Sequence, residues 1–245
     1  MRILLVNDDG ILADGINAAY VALSKEHEVL ALAPDRERSA SSHSITARAP
    51  VKITPIELPS GGKGYSCSGT PADCARLGIE IFGSPRFDMV VSGINNDTNL
   101  GFDTNYSGTV GGALEGTGAK IPSIAFSIQK TDFIDWVGAG KVVLEIVTKY
   151  ADWDIPPNVA LNVNMPFHFK PGDYSWAPIQ AVCAKETFDV TRYPDGSMDC
   201  TRSRESVPQL ISPFSDVELF QKGRITISPL VPVSTHWDVL YRLRS

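Results

Sequence analysis

The chain has little of what would tie it to nucleic acid, membrane or zinc. No run of clustered Lys and Arg is visible, and 22 Lys+Arg against 28 Asp+Glu leave a formal net charge of -6. A phosphate backbone is held by clustered cations, so a nucleic-acid polymer is excluded as main ligand, while a small anion met by local groups is not. No apolar stretch reaches the length of a membrane span, so no membrane partner is expected. The opening residues MRILLVNDDG lack the h-region and cleavage site of a signal peptide, and a cytoplasmic protein is expected. Four cysteines, Cys67, Cys74, Cys183 and Cys200, form no CxxC pair and read as reduced thiols. No His or Cys cluster suggests zinc. The phosphate-loop pattern GxxxxGK[ST] is absent, as is GxGxxG after the first apolar run.

What is present is ordinary soluble composition, 43% hydrophobic and 20% charged, over 245 residues, enough to bury a core without disulfides. Residues 2–6 (RILLV) read as a buried parallel strand stopped by NDDG. Ile16, Ala19, Tyr20 and Leu23 recur at helical spacing, and a strand from Glu28 to Ala33 completes a βαβ unit. The polar stretch 34–44 and the alternating segment 45–58, with its Gly-rich turn at 60–64, read as strands or loops above the sheet. Thr70, Pro71 and Asp73 supply an N-cap, a first-turn proline and a capping-box acid, predicting a helix over 71–82. Strands follow at 87–92, in PSIAFSI and at 159–165, the last of the core, with helices in TVGGALEGTGAK and near 134–150. Beyond Pro166 prolines, aromatics and short alternating runs take over. The reading is α/β: a mostly parallel sheet flanked by helices over 1–166, with a β-rich extension over 167–245.

In an open parallel sheet, ligands sit beyond the carboxyl ends of the strands. The first strand delivers Asn7, Asp8, Asp9 and Gly10 there, the second delivers 35–44, and the strand ending at Ser92 delivers Gly93, Asn95, Asn96 and Asn99. Adjacent carboxylates in a partly buried site need a cation or a proton, because both cannot stay ionised cheaply. Asp, Asn and Ser oxygens are ligands that Mg²⁺, Mn²⁺ or Ca²⁺ prefers. Read alone, Asp8 and Asp9 also fit a helix-capping turn, Ser39 a surface turn, Asn95 and Asn99 loop geometry, and His43 a solvated side chain or a proton donor. Ser107, Gly108 and Thr109 stand ahead of a helix, where free N–H groups and the dipole favour a phosphate, although a plain N-cap has the same sequence. Aspartyl-phosphate enzymes resembling the haloacid dehalogenase group carry DxDG after strand one. Here the first position is Asn7, whose amide cannot form an acyl phosphate, so an activated water is the expected nucleophile, with Asp8 or Asp9 orienting or deprotonating it.

Four blocks then carry a family resemblance: MRILLVNDDGI (1–11), APDRERSASSHSIT (33–46), SGTPADCARLGI (68–79) and SGINNDTNLGFDTNYSGTVGGALEG (92–116). With LNVNMP (161–166) and GRITISPL (223–230), the chain resembles the SurE survival proteins over nearly its whole length. The resemblance implies a Rossmann-like core and a divalent-metal-dependent 5'/3'-nucleotidase acting on nucleoside monophosphates, with polyphosphate cleavage as a side activity. It implies one metal per subunit, Mg or Mn, on Asp8, Asp9, Ser39 and Asn95, and a phosphate pocket at Asn96, Ser107, Gly108 and Thr109. It further implies a homodimer or homotetramer with exchanged C-terminal segments. Asp97 stands where the family pattern SGINxGxNxG has glycine, and Gly111 and Gly112 stand where alanines are common. From another class, a nucleotide- or anion-sensing module that binds without turnover has the same residues.

Overall fold

The computed structural model describes residues 1–181, 186–204, 211–235 and 237–244; Cys183 lies outside them. In chain order the elements are β1 (Arg2–Val6), α1 (Asp14–Leu23), β2 (Glu28–Pro34), β3 (Ile53–Glu57), β4 (Lys63–Cys67), α2 (Pro71–Phe82), β5 (Met89–Asn95), α3 (Gly108–Gly118), β6 (Ser123–Ile128), α4 (Trp136–Lys149), β7 (Ala160–Met165), β8 (Tyr174–Trp176), β9 (Glu186–Arg192), β10 (Met198–Arg204), α5 (Asp216–Gln221), β11 (Ile225–Leu230) and α6 (Trp237–Arg244).

Nine strands form one sheet in the order β3-β4-β2-β1-β5-β6-β7-β11-β8, and β9 and β10 pair separately as an antiparallel hairpin. Within the large sheet β3–β4 and β11–β7 are antiparallel, and the other pairs are parallel. β1 shows why the first apolar run lacks alternation. Ile3 and Leu5 enter a core shared with Ile16 and Leu23 of α1 and Val142 and Ile146 of α4, while Leu4 and Val6 enter a second core with Cys74 and Ala75 of α2. A strand covered by helices on both faces has no wet side to encode. Between β1 and β5 the chain reverses its direction of travel across the sheet, so the loops leaving these strands diverge and open a crevice at their carboxyl ends.

The capping box expected at Thr70 is formed. The Thr70 hydroxyl accepts from Asp73 N–H and the Asp73 carboxylate accepts from Thr70 N–H at 2.9 Å, with Pro71 in the first turn. Asp73 also accepts from the Thr46 hydroxyl at 2.6 Å, tying the end of the serine-rich loop to the helix. Burial raises the Asp73 carboxyl, but the Thr46 and Thr70 hydrogen bonds outweigh it and hold the group below the usual range.

Three expectations need correction. Within the 45–64 segment, β3 and the start of β4 do not stand above the sheet but extend its plane, with β4 parallel to β2. The 159–165 strand is not the last of the core, because β11 and β8 from beyond Pro166 continue the sheet past it. Alternation along the chain reports pleating but not which edge a strand joins. The strand expected to end at Ser92 continues to Asn95. A register shift against β6 falls between Ser92 and Asn95, and Gly93 there has φ 126°. Only glycine takes that conformation easily, and the sequence read it as the start of a loop. Cys67, Cys74 and Cys200 are free thiols, and among the described residues no helix is long and apolar enough to cross a membrane.

A methyl group on Gly93 would sit 2.2 Å from the Phe126 carbonyl oxygen, at a φ that side chains rarely take. Gly93→Ala is therefore expected to destabilise the fold by about 2–5 kcal/mol. Urea melts of the two proteins check this, and an unchanged midpoint would show that the β5 end relaxes freely.

Candidate active site at the ends of β1 and β5

The NDDG turn is held from inside. Asn7 is buried, and its amide donates to the Gly10 carbonyl at 2.9 Å and accepts from Gly10 N–H at 3.3 Å, closing the turn. The Asp8 carbonyl accepts from Arg38 N–H at 2.7 Å, which fastens the serine-rich loop over it. So fixed, Asp8 is 3% exposed and its carboxylate accepts a short hydrogen bond from the Thr109 hydroxyl. Burial raises the Asp8 carboxyl to about 6; the Thr109 hydroxyl pulls it down, and the neighbouring Asp9 pushes it further up. Asp9 is raised as well, by burial first, with the Asn96 N–H lowering it and Glu37 raising it. That N–H donates to Asp9 Oδ2 at 2.9 Å. Lys130 also lowers Asp9, yet burial prevails.

β5 supplies the facing wall. Asn95 is buried, and its side-chain NH₂ donates to the Asp97 carbonyl at 2.7 Å, which commits the nitrogen side of the amide and not the oxygen. Asn96 Oδ1 is buried without a hydrogen-bond partner. The following loop is anchored from below. Asn99 N–H donates to Asn164 Oδ1 at 2.8 Å, its side chain donates to the Ser127 hydroxyl at 2.7 Å, and its carbonyl accepts from Asn162 and Asn164. Buried Asp216 accepts from Gly101 N–H at 2.7 Å and Gln180 N–H at 2.8 Å, so the C-terminal segment pins the same loop. Ser107 caps α3, accepting from Val110 N–H at 3.1 Å.

These groups line a cleft of about 420 Å³, within the usual range of small-molecule sites of roughly 300–1,000 Å³. Asp8, Asp9, Ser39, Asn95, Asn96 and Ser107 all line it. Ser39 is exposed and donates to Glu37 Oε1 at 2.7 Å. Gly108 and Thr109 lie behind Asp8 and off the cleft surface: Thr109 is fully buried, and a Cβ on Gly108 would stand 3.0 Å from Asp8 Oδ2 and 2.6 Å from Ser41 Oγ. Gly108 thus permits the close approach through which Thr109 holds Asp8. His43 does not line the cleft; its Nε2 is 2.8 Å from Glu115 Oε1.

Sequence reasoning missed Glu37, Asp103, Tyr106, Lys130 and Arg202, which also line the cleft. Lys130 follows β6 by two residues, so extending the strand-end rule to PSIAFSI would have found it. Arg202 comes from β10, inside the β-rich extension, where no motif marks it.

The residues present fit a hard divalent cation. Burial raises both carboxyls, Asp8 to about 6, and the remaining donors, Asn95, Asn96 and Ser39, bear neutral oxygens. Among the described residues no group of three or more His, Cys, Asp or Glu is placed to hold a metal, so this donor set has two carboxylates and relies on neutral oxygens for the rest.

The family model "Survival protein SurE" matches residues 3–191. A protein called 5'-nucleotidase SurE from Pelotomaculum thermopropionicum is 36% identical over 249 residues, 100% of this chain and 94% of the relative. One of the same name from Clostridium botulinum (strain ATCC 19397 / Type A) is 45% identical over 169 residues, 68% of this chain and 67% of the relative. The crystal structure of the SurE protein from Aquifex aeolicus superposes with a TM-score of 0.86 at 33% identity, covering 100% of this chain and 98% of that one.

The Asp8 shift has a consequence for stability. Its folded value of about 6 lies above the ordinary 3.8, so the folded state holds a proton that the unfolded chain releases across roughly pH 4 to 6. Stability of the chelated protein should therefore fall as pH rises through that window, by about 3 kcal/mol at most. Asp8→Asn, which removes the buried charge, should flatten that part of the profile. Urea titrations at pH 4.5 and 7.5 on both proteins check this, and an identical pH slope in the variant would contradict it.

Proposed function

The chain belongs to the SurE survival-protein family, and from that premise we propose that it is a divalent-metal-dependent phosphatase that hydrolyses nucleoside 5'- and/or 3'-monophosphates to nucleoside and phosphate. The observation that carries this reading is the adjacent Asp8–Asp9 pair, Asp8 buried and Asp9 partly so, both raised by burial, at a strand end that faces Asn95, Asn96 and the capped start of α3. The relatives named as 5'-nucleotidases support the substrate class.

Asp8, Asp9, Ser39 and Asn95 would hold the cation. Bound there, it supplies positive charge against the phosphate oxygens and lowers the pKa of water. The chain's own residues do the rest. Thr109 fixes the Asp8 carboxylate from behind, and Asn96 N–H fixes Asp9, so neither carboxylate needs to reorganise as charge develops. Asn96 and Ser107, which line the cleft, receive the phosphate oxygens, with the positive end of α3 behind them. Lys130 and Arg202 offset an otherwise acidic wall of Asp8, Asp9, Glu37, Asp97 and Asp103, which a phosphate dianion must approach. Asp8 or Asp9 orients the attacking water or takes its proton.

Within 167–245, where β8, β11 and α5 belong to the core, the β9–β10 hairpin serves assembly in this reading, as a homodimer or homotetramer with exchanged C-terminal segments. Among the described residues that hairpin joins no larger sheet, and it leaves Phe188 57% and Met198 51% exposed; an isolated two-stranded hairpin is marginal without a partner.

Phosphate release from AMP, GMP and a 3'-monophosphate, with Mn²⁺ or Mg²⁺ and after chelation, tests the reading; polyphosphate in the same panel tests the side activity. Chelation should abolish turnover, and Asp9→Asn should lower kcat/KM by about 100-fold or more. Metal-independent hydrolysis would sink the mechanism, and tight AMP binding without release would favour a sensor.

A further inference from the structure

The cleft is larger than a phosphate and a cation need, and among the described residues that line it a single one carries an aromatic ring, Tyr106. An exposed aromatic is ordinary on a protein surface. Tyr106 differs in how it is held. Its N–H donates to the Asp103 carbonyl at 2.9 Å and its carbonyl accepts from Ser42 N–H at 2.9 Å, so the backbone is fixed from both sides. The short 3-10 turn that precedes it, Gly101–Asn105, is itself pinned through Gly101 to buried Asp216. The ring meets Phe102 at a centroid distance of 5.8 Å and an interplanar angle of 62°. Even so it is 47% exposed. A rigidly mounted, braced aromatic ring is thus left in water inside a cleft whose other walls are polar.

Its neighbour in the chain explains the placement. Ser107 caps α3, where the phosphate is received in the reading above. In a nucleoside monophosphate a ribose separates phosphate from base, so a phosphate at Ser107 carries its base toward the adjacent residue rather than onto the same one. We propose that Tyr106, braced by Phe102, is the platform on which the nucleobase of the substrate stacks; this rests on the monophosphatase reading. A π-face serves every base, because stacking reads ring area and not a hydrogen-bond pattern. The site accordingly takes all common bases and ranks purines above pyrimidines.

The test uses the full chain with Mn²⁺ and two esters, AMP and glycerol 2-phosphate, which has no base. The readout is the ratio of their kcat/KM values, together with calorimetric titration of adenosine, which has no phosphate. In Tyr106→Ala the ratio should fall by about tenfold or more, and adenosine affinity should fall by a similar factor. Tyr106→Phe, which keeps the ring, should retain both. An unchanged ratio in Tyr106→Ala, or an equal loss on both esters, overturns the platform. If the wild-type chain releases phosphate from neither ester, the phosphatase reading fails by itself. The adenosine titration then decides alone: affinity lost in Tyr106→Ala and kept in Tyr106→Phe supports the platform, and affinity that survives in Tyr106→Ala overturns it.

Discussion

Two carboxylates, adjacent in sequence, sit at the end of a strand that is buried on both faces. Burial makes each costly to ionise, Asp9 adds to the cost at Asp8, and Glu37 and Asp97 add to it at Asp9. Much of the surrounding structure can be read as a response. Asn7 closes the turn that presents them, Thr109 and the Asn96 N–H supply hydrogen bonds, and Lys130 adds distant positive charge. None of these returns either carboxyl to its ordinary range. A divalent cation would, and the proposed chemistry follows from that deficit.

Holding donors from three strand ends around one point requires loops that do not move. The β5 loop is fixed by a row of buried amides and hydroxyls, Asn99, Ser127, Asn162 and Asn164. Asp216, from far along the chain, finishes the job at Gly101. Each buried polar group has to be satisfied or it costs about 1–3 kcal/mol, so such a network specifies one loop conformation more sharply than apolar contacts would. The extension beyond Pro166 is in this way part of the site's foundation: β11 pairs with β7, and α5 presents Asp216.

The parts of the fold legible in the sequence were those with local causes. RILLV with NDDG, the Thr70–Pro71–Asp73 cap and the helical spacing in α1 depend on neighbours within a few residues, and they were readable for that reason. The edge position of β3 and β4 and the return of β8 and β11 to the main sheet depend on long-range pairing, which alternation does not encode. The same divide runs through the site. Asp8, Asp9 and Asn95 follow from the strand-end rule, and Ser39 came only from the family resemblance. The buried tie between Thr109 and Asp8 joins residues 101 positions apart, and Thr109 alone reads as helix-start chemistry. Arg202 reaches the cleft through a hairpin with no motif of its own, and Asp97, the departure from the family pattern, lies exposed on the cleft rim.

The central claim is that the suppressed charge of Asp8 and Asp9 exists to receive one divalent cation. Crystals soaked in Mn²⁺ and measured at the manganese absorption edge address it without reference to turnover. The account predicts one anomalous peak per subunit at the end of β1, about 2.0–2.6 Å from oxygens of Asp8, Asp9, Ser39 and Asn95. A map with no peak there, or with the ion held by other residues, would contradict it.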